Sequence, residues 1–181
     1  AIAARSCISK VSGAGASSDG LLIDLPSATK ASTISLADNT FSFAGNDSTA
    51  IDVTGLAPVG VAAARNLIGF SGTSGTGLAF TLGDGSAVNL QSNSIGDTGG
   101  GGTGILFRSL TGDTDVTIND TLVNLLSTGV LVDRGIVFNS ITGTVDLAGT
   151  QNNVVRFATQ AFSAPATGIV GEILVNGAEV P

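Results

Sequence analysis

The stretch GTGILF, Gly102 to Phe107, decides how this chain folds, because SGTGLAF precedes it at Ser74 to Phe80 and STGVLV follows it at Ser127 to Val132. In each copy a small residue is followed by two apolar residues spaced two apart. The same pairing occurs at Leu21 and Ile23, Ile51 and Val53, Leu78 and Phe80, Ile105 and Phe107, and Val130 and Val132. A period of two is the signature of short strands that bury one face. The small residue ahead of each pair (Gly20, Ala50, Gly77, Gly104, Gly129) recurs at steps of 30, 27, 27 and 25 residues.

A second landmark shares that period. An apolar residue, two spacers, Asn or Thr, one spacer and another apolar residue appear as Leu36, Asn39 and Phe41; Ala63, Asn66 and Ile68; Leu90, Asn93 and Ile95; and Ile118, Thr121 and Val123. Asn39, Asn66, Asn93 and Thr121 lie 27, 27 and 28 residues apart. A unit this short cannot bury its apolar face alone, so copies must stack on one another. The expected result is a pile of parallel coils about 4.8 Å apart. Leu21, Ile51, Leu78, Ile105 and Val130 would form one interior stack, with Ile23, Val53, Phe80, Phe107 and Val132 beside it. Each Thr-Gly is expected to turn a corner with positive φ. Asn39, Asn66 and Asn93 are expected to form an amide ladder at a corner, a turn-building role rather than a ligand site.

These repeated strands resemble the right-handed parallel β-helix of the pectate-lyase-like superfamily, which includes passenger regions of bacterial autotransporters and similar surface proteins. The resemblance covers roughly residues 20–155. It implies an all-β, right-handed parallel β-helix of about five to six coils, and a secreted or cell-surface location. Residues 1–19 read as an N-terminal arm or irregular cap, and residues 156–181 as C-terminal strands or cap around a Val-Asn-Gly-Ala turn. Neither end carries an amphipathic capping helix. Exposed strand edges there would invite self-association through the solenoid ends.

Composition narrows the function classes. The chain has 181 residues, 26 of them Gly, with only two Glu and two Lys. That is strand-and-turn composition. A net charge of -7 disfavours nucleic acid and anionic membrane as partners. No apolar run is long enough to span a bilayer as a helix. The first residues lack the layout of an export signal, so any such signal is expected to have gone already. There is no His, which removes Ser-His-Asp, Cys-His and His-ligated zinc chemistry together. Cys7, the single cysteine, has no internal disulfide partner; a link to another chain or an inert thiol remains.

The candidate sites are weak. The superfamily's hydrolases combine several Asp with His and an Arg-Lys element, neither of which is present here, and Asp24 aligns with Thr54 rather than with another acid. Its lyases use calcium and an Arg base; Arg65, Arg108, Arg134 and Arg156 lack a neighbouring acid cluster. Arg108 is expected to pair across coils with Asp133. Asp84, Asp113 and Asp115 occupy turns of adjacent coils and could hold a structural calcium with backbone carbonyls. The run GDTGGGGTG, Gly96 to Gly104, has no Lys-Ser or Lys-Thr and no following helix, so it reads as a flexible loop rather than a phosphate cradle. Leu22, Ala79, Leu106 and Leu131 are expected to face outward as an apolar stripe interrupted by Asp52, either a self-association surface, through Leu22, Leu106 and Leu131, or a face covered by a terminal segment.

The expectation is therefore a non-enzymatic extracellular structural protein, a building block of a surface layer, stalk or filament. A carbohydrate-binding or adhesive module is the alternative and would show exposed aromatic residues. A polysaccharide lyase or hydrolase comes third and would show an acidic cleft beside an Arg.

Overall fold

The computed structural model describes residues 1–5, 8–11, 19–25, 31–125 and 131–181. Among them there is no helix. The strands form a parallel β-solenoid of about five turns. The chain passes repeatedly through three sheets, called A, B and C in the order in which each coil meets them. Residues Ser86–Gln91, Ser94–Asp97 and Thr103–Thr111 make one complete coil, one strand in each sheet. Parallel pairing extends on both sides of residues 20–155. Ile2–Arg5 and Ile8–Val11 pair with Ser32–Ala37 and Thr40–Phe43, and Gln160–Ser163 pairs with Arg134–Phe138.

The alternation of apolar residues explains the interior. In sheet C, Ile51, Leu78, Ile105 and Ile136 occupy one register position and are fully buried. Val53, Phe80, Phe107 and Phe138 fill the next inward position. The rings of Phe80 and Phe107 stack at 5.2 Å, and those of Phe107 and Phe138 at 4.4 Å. Ile68, Ile95, Val123 and Val155 line sheet B, while Val61, Val88, Val116 and Leu147 line sheet A. Side chains of equal shape lie over one another at the rung spacing, so each buries its neighbour's flat side.

Two expectations need correction. Val132 is not the fifth member of its stack; it is 52% exposed. Phe107 pairs instead with Phe138, and Ile105 with Ile136, an offset of 31 residues. Two Gly-led apolar pairs compete in this stretch, GVLV and GIVF. The second supplies a Phe that continues the column of rings, which Val132 cannot do. Val130, assigned to the companion stack, lies outside the described residues, and so does Cys7.

The second correction concerns the Thr-Gly pairs. Gly77 and Gly104 lie within strands, and neither has positive φ. They are small because space is short. A Cβ on Gly77 would sit 2.5 Å from Gly104 O and 2.7 Å from Ile95 Cγ2, and one on Gly104 would sit 2.8 Å from Gly135 O and collide with Val123. Positive φ falls outside these strands, at Ser74 and Gly101 three residues ahead of Gly77 and Gly104 and again at the corner between sheets A and B. Asp38, Arg65, Ser92 and Asp120 take φ of 58°, 53°, 53° and 49° there, each immediately before a ladder position. Short polar side chains tolerate this conformation, though Arg65 is an exception to that preference.

The C-terminal end closes on itself. Ile169–Val175 and Ala178–Val180 form an antiparallel hairpin through Asn176 and Gly177, both with positive φ. This is the turn expected from Val-Asn-Gly-Ala. The Asn176 side chain then imitates a strand. Its Oδ1 accepts from Val155 N and its Nδ2 donates to Val155 O, both at 2.8 Å. Backbone groups on the last strand of sheet B are thereby satisfied.

Candidate functional site

The asparagine ladder is present as expected. Asn39 Nδ2 donates to Asn66 Oδ1 and Asn66 Nδ2 to Asn93 Oδ1, each at 2.9 Å. Each Oδ1 also accepts the main-chain N–H of the Asn in the coil before it. Asn66 and Asn93 further donate to the carbonyls of Leu36 and Ala63. All three residues are 1% exposed. Their polar capacity is consumed inside the corner, so the ladder is scaffold. Thr121 interrupts it, and Asn153 resumes it by accepting from Thr121 N at 3.0 Å. Asn153 lies 32 residues beyond Thr121, outside the regular period, which is why the repeat did not reveal it.

Several carboxylates are tied into the coils by ion pairs or main-chain amides. Asp24 pairs with Thr54 in register, so no acid pair forms there. Arg108 does not meet Asp133; it donates to Asp52 Oδ2 at 2.9 Å. The register shifts at Arg108, and the longer coil that ends in Arg134–Phe138 carries Asp133 to a buried corner instead. Asp38 sits between Arg65 and Arg5 on the surface, and the Arg65 guanidinium holds its carboxyl below the usual carboxylate range. Asp84 Oδ1 accepts from the main-chain N–H of Asp113 at 2.7 Å. Asp115 lies in register with Asp146 of the next coil, and both are exposed. Among the described residues, no three acids or other ligating side chains converge to hold a metal.

One acid is out of place in a way the sequence reading missed. Asp97 occupies an interior position of sheet B, in register with Phe70 on one side and Leu125 on the other, and is 1% exposed. Its Oδ1 accepts from Gly99 N at 2.7 Å, while its Oδ2 is buried without a partner. A Cβ on Gly102 would collide with that oxygen. Asp133, fully buried, reaches the same residue, and its Oδ1 accepts from Gly102 N at 3.1 Å. The glycine run is thus folded tightly around a carboxylate. Burial pushes the Asp97 carboxyl above its ordinary range, the Gly99 amide opposes this, and the charge of Asp133 adds to it.

The sign of the pH effect follows. A carboxyl whose folded pKa is raised binds its proton more tightly in the folded chain. Its favourable contribution is therefore complete below the unfolded pKa of about 3.9 and is lost as pH rises through the folded value. Asp97→Asn keeps an acceptor for Gly99 and carries no charge. Its Nδ2 takes the place of the unpartnered Oδ2, so only the removal of the buried charge stabilises, and a gain on the order of 1 kcal/mol at pH 7 is expected. Near pH 3 the gain should shrink. Thermal melts of both proteins across that range check it, and an equal gain at both pH values would contradict the charge argument.

The outer faces differ from one another. In sheet C the outward row is Leu22, Asp52, Ala79, Leu106 and Val137. Leu22 is 57% exposed, but Ala79 and Val137 are buried and Leu106 is half-buried. Leu131 does not belong to the row, because the longer coil that ends in Arg134–Phe138 gives its place to Val137. The expected apolar stripe is broken. Sheet B instead bears a furrow of about 560 Å³ running across four coils. Its floor is the in-register pair Gly69 and Gly96, beside the exposed Leu67 and half-buried Leu122. Ile-Gly follows two of the ladder residues, Asn66 and Asn93, whereas Phe41 and Ser42 follow Asn39. Of the eight Phe, only Phe157 is largely exposed, at 65%.

No protein-family model matches this chain, and neither does any curated protein or solved structure.

Proposed function

We propose that the chain is a non-enzymatic structural segment of a secreted or cell-surface protein, a stiff β-helical block within a surface layer, stalk or filament. The observation that carries this reading is where the polar side chains go. The ladder asparagines, Asp52 with Arg108, and Asp84 with the Asp113 amide all bind one coil to another, and none is left as a reactive cluster. The column of buried side chains beneath them supplies rigidity. The same reading assigns the chain to the pectate-lyase-like β-helix superfamily that its sequence resembles, supported by the parallel coils and the corner asparagines.

Self-association through an end is part of the proposal, and the ends are unequal. The hairpin and Asn176 close the C-terminal end. At the other end, Leu21 and Leu25 remain half-buried, whereas Ile51 beside Leu21 is fully buried. Contact is therefore proposed through the coil containing Asp19–Leu25. Negative-stain microscopy over a dilution series is expected to show rods that double in length at high concentration. Single rods at every concentration would contradict end-on association, and rapid proteolysis of the folded chain between coils would contradict the stiff-block reading itself.

A further inference from the structure

We propose that the corner between sheets B and C, near the C-terminal end, docks against the outer face of sheet A on a second copy of this chain and sets the rods side by side. Phe157, in that corner, is 65% exposed and holds φ at 59°, the left-handed region that a bulky side chain ordinarily avoids. Both features cost stability, and the ring takes no part in the core. An exposed aromatic held under backbone strain is explained when another surface uses it. Phe157 has apolar company. Arg134 N donates to Gly102 O at 2.9 Å and Gln160 N to Asp133 O at 3.1 Å, so the segments around Gly101, Leu131 and Phe157 are successive rungs of this corner. Leu131 and Val132 are exposed there, and Arg134 and Arg156 flank the three apolar side chains. Among the described residues the ion pairs employ Arg5, Arg65 and Arg108, and neither Arg134 nor Arg156 has one. Aromatic and Arg side chains are the usual anchors of protein interfaces.

The complementary surface lies across the molecule. On the outer face of sheet A, Asp115 stands in register with Asp146 and Asp146 with Val170, while Glu172 follows in the same strand as Val170. All four are exposed, and among the described residues no Arg or Lys pairs with these acids. Like charges directly opposite one another on neighbouring strands are destabilising, so the Asp115 and Asp146 pair gains from a cation brought by another molecule. Ala87 and Ala148, in register with Asp115 and Glu172, present no bulk that would hold a neighbour away.

Height along the axis matches the two surfaces. Asp115 belongs to the coil that continues through Leu122–Leu125 to Arg134–Phe138, and Asp146 to the next, which continues through Val154–Arg156 to Gln160–Ser163. Leu131, Val132 and Arg134 therefore stand within one rung, about 4.8 Å, of Asp115, and Arg156 and Phe157 within one rung of Asp146. In a three-sided coil the corner between sheets B and C lies opposite sheet A. A copy displaced sideways, without rotation, brings Arg134 to Asp115, Arg156 to Asp146 and the apolar side chains to Val170. Each exposed ion pair contributes little alone, so the charges set register and partner while the apolar side chains supply contact. Repeating one translation generates an open row of parallel rods. Such a row is a layer one rod thick, and it presupposes the stiff surface block proposed above.

The test uses the whole chain and reads particle width by negative-stain microscopy and mass by sedimentation velocity over a dilution series. The parent is expected to widen into side-by-side rods at high concentration. Arg134→Glu with Arg156→Glu should abolish the widening, and so should Asp115→Lys with Asp146→Lys. An equimolar mixture of these two variants should restore it, because each presents the charge that the other's altered surface lacks. Asp19→Lys with Asp24→Lys makes the same change of charge on exposed positions of sheet C and should not restore it. Phe157→Asn should weaken the association at least about tenfold while leaving the melting temperature unchanged or raised, because Asn tolerates positive φ. The proposal is overturned if the parent never widens, if either charge variant widens as the parent does, if the mixture fails to restore width or the sheet C variant restores it equally, or if Phe157→Asn associates as well as the parent. Rods that lengthen without widening would overturn the side-by-side contact alone, whereas rapid proteolysis between coils would strike the stiff-block reading beneath it.

Discussion

Phe107→Ala is expected to destabilise the protein by about 3–5 kcal/mol, the range for removing a fully buried ring whose cavity cannot collapse. Phe107 is 0% exposed and lies between Phe80 and Phe138, so the loss removes two stacked contacts as well as buried area. The backbone on either side is held by parallel ladders, which leaves little freedom to close the gap. Since domains are stable by only about 5–15 kcal/mol, this one change should consume a large share of the total. Chemical denaturation of the variant measures it. A comparable loss from Val132→Ala would favour the 25-residue register over the 31-residue one; Val132, half exposed, should cost little.

Asn66→Ala is the second change with a large expected effect. The Asn66 side chain accepts from Asn39 and donates to Asn93 and to Leu36 O. Its removal leaves the buried main-chain N–H of Asn39 without its acceptor and takes one partner each from Asn39 Nδ2, from Leu36 O and from Asn93 Oδ1, which keeps the Asn66 N–H. At about 1–3 kcal/mol for a buried group left without a partner, together with the bonds lost beside it, a loss of about 2–4 kcal/mol is expected. Asn89→Ala, an exposed position of sheet A, is the control and should lie within about 0.5 kcal/mol of the parent. Equal effects at the two positions would mean that the ladder contributes nothing beyond ordinary turn formation.

Some of this architecture was legible in the sequence for a physical reason. Side chains that stack on their own copies must recur at one period, so Ile51, Leu78 and Ile105, and Asn39, Asn66 and Asn93, declare themselves by spacing alone. The break after Phe107 was not legible, because two Gly-led apolar pairs stand within ten residues of each other and only ring stacking on Phe107 chooses between them. The role of the Thr-Gly glycines was misjudged for a related reason. Close approach across the interior and positive φ both select glycine, and a sequence does not distinguish them. The left-handed corner between sheets A and B falls on Asp38, Arg65, Ser92 and Asp120, where no glycine announces it.

The candidate sites were less legible still. Asp97 stands in a glycine-rich run, where an Asp ordinarily forms a turn, and only its register with Phe70 and Leu125 shows that it is interior. Leu131 was placed on an outward stripe by the same miscounted coil that displaced Val132.

Hydrogen-bond scalar couplings in the isotopically labelled chain test the stacking itself. The parallel solenoid predicts coupling of the Ser94 amide nitrogen to the Asn66 carbonyl carbon, of Leu122 to Asn93, and of Arg134 to Gly102, following hydrogen bonds of 2.9, 2.8 and 2.9 Å. Couplings that instead join neighbouring strands in antiparallel order, or that tie the Gly102 carbonyl to an amide before Leu131, would contradict it.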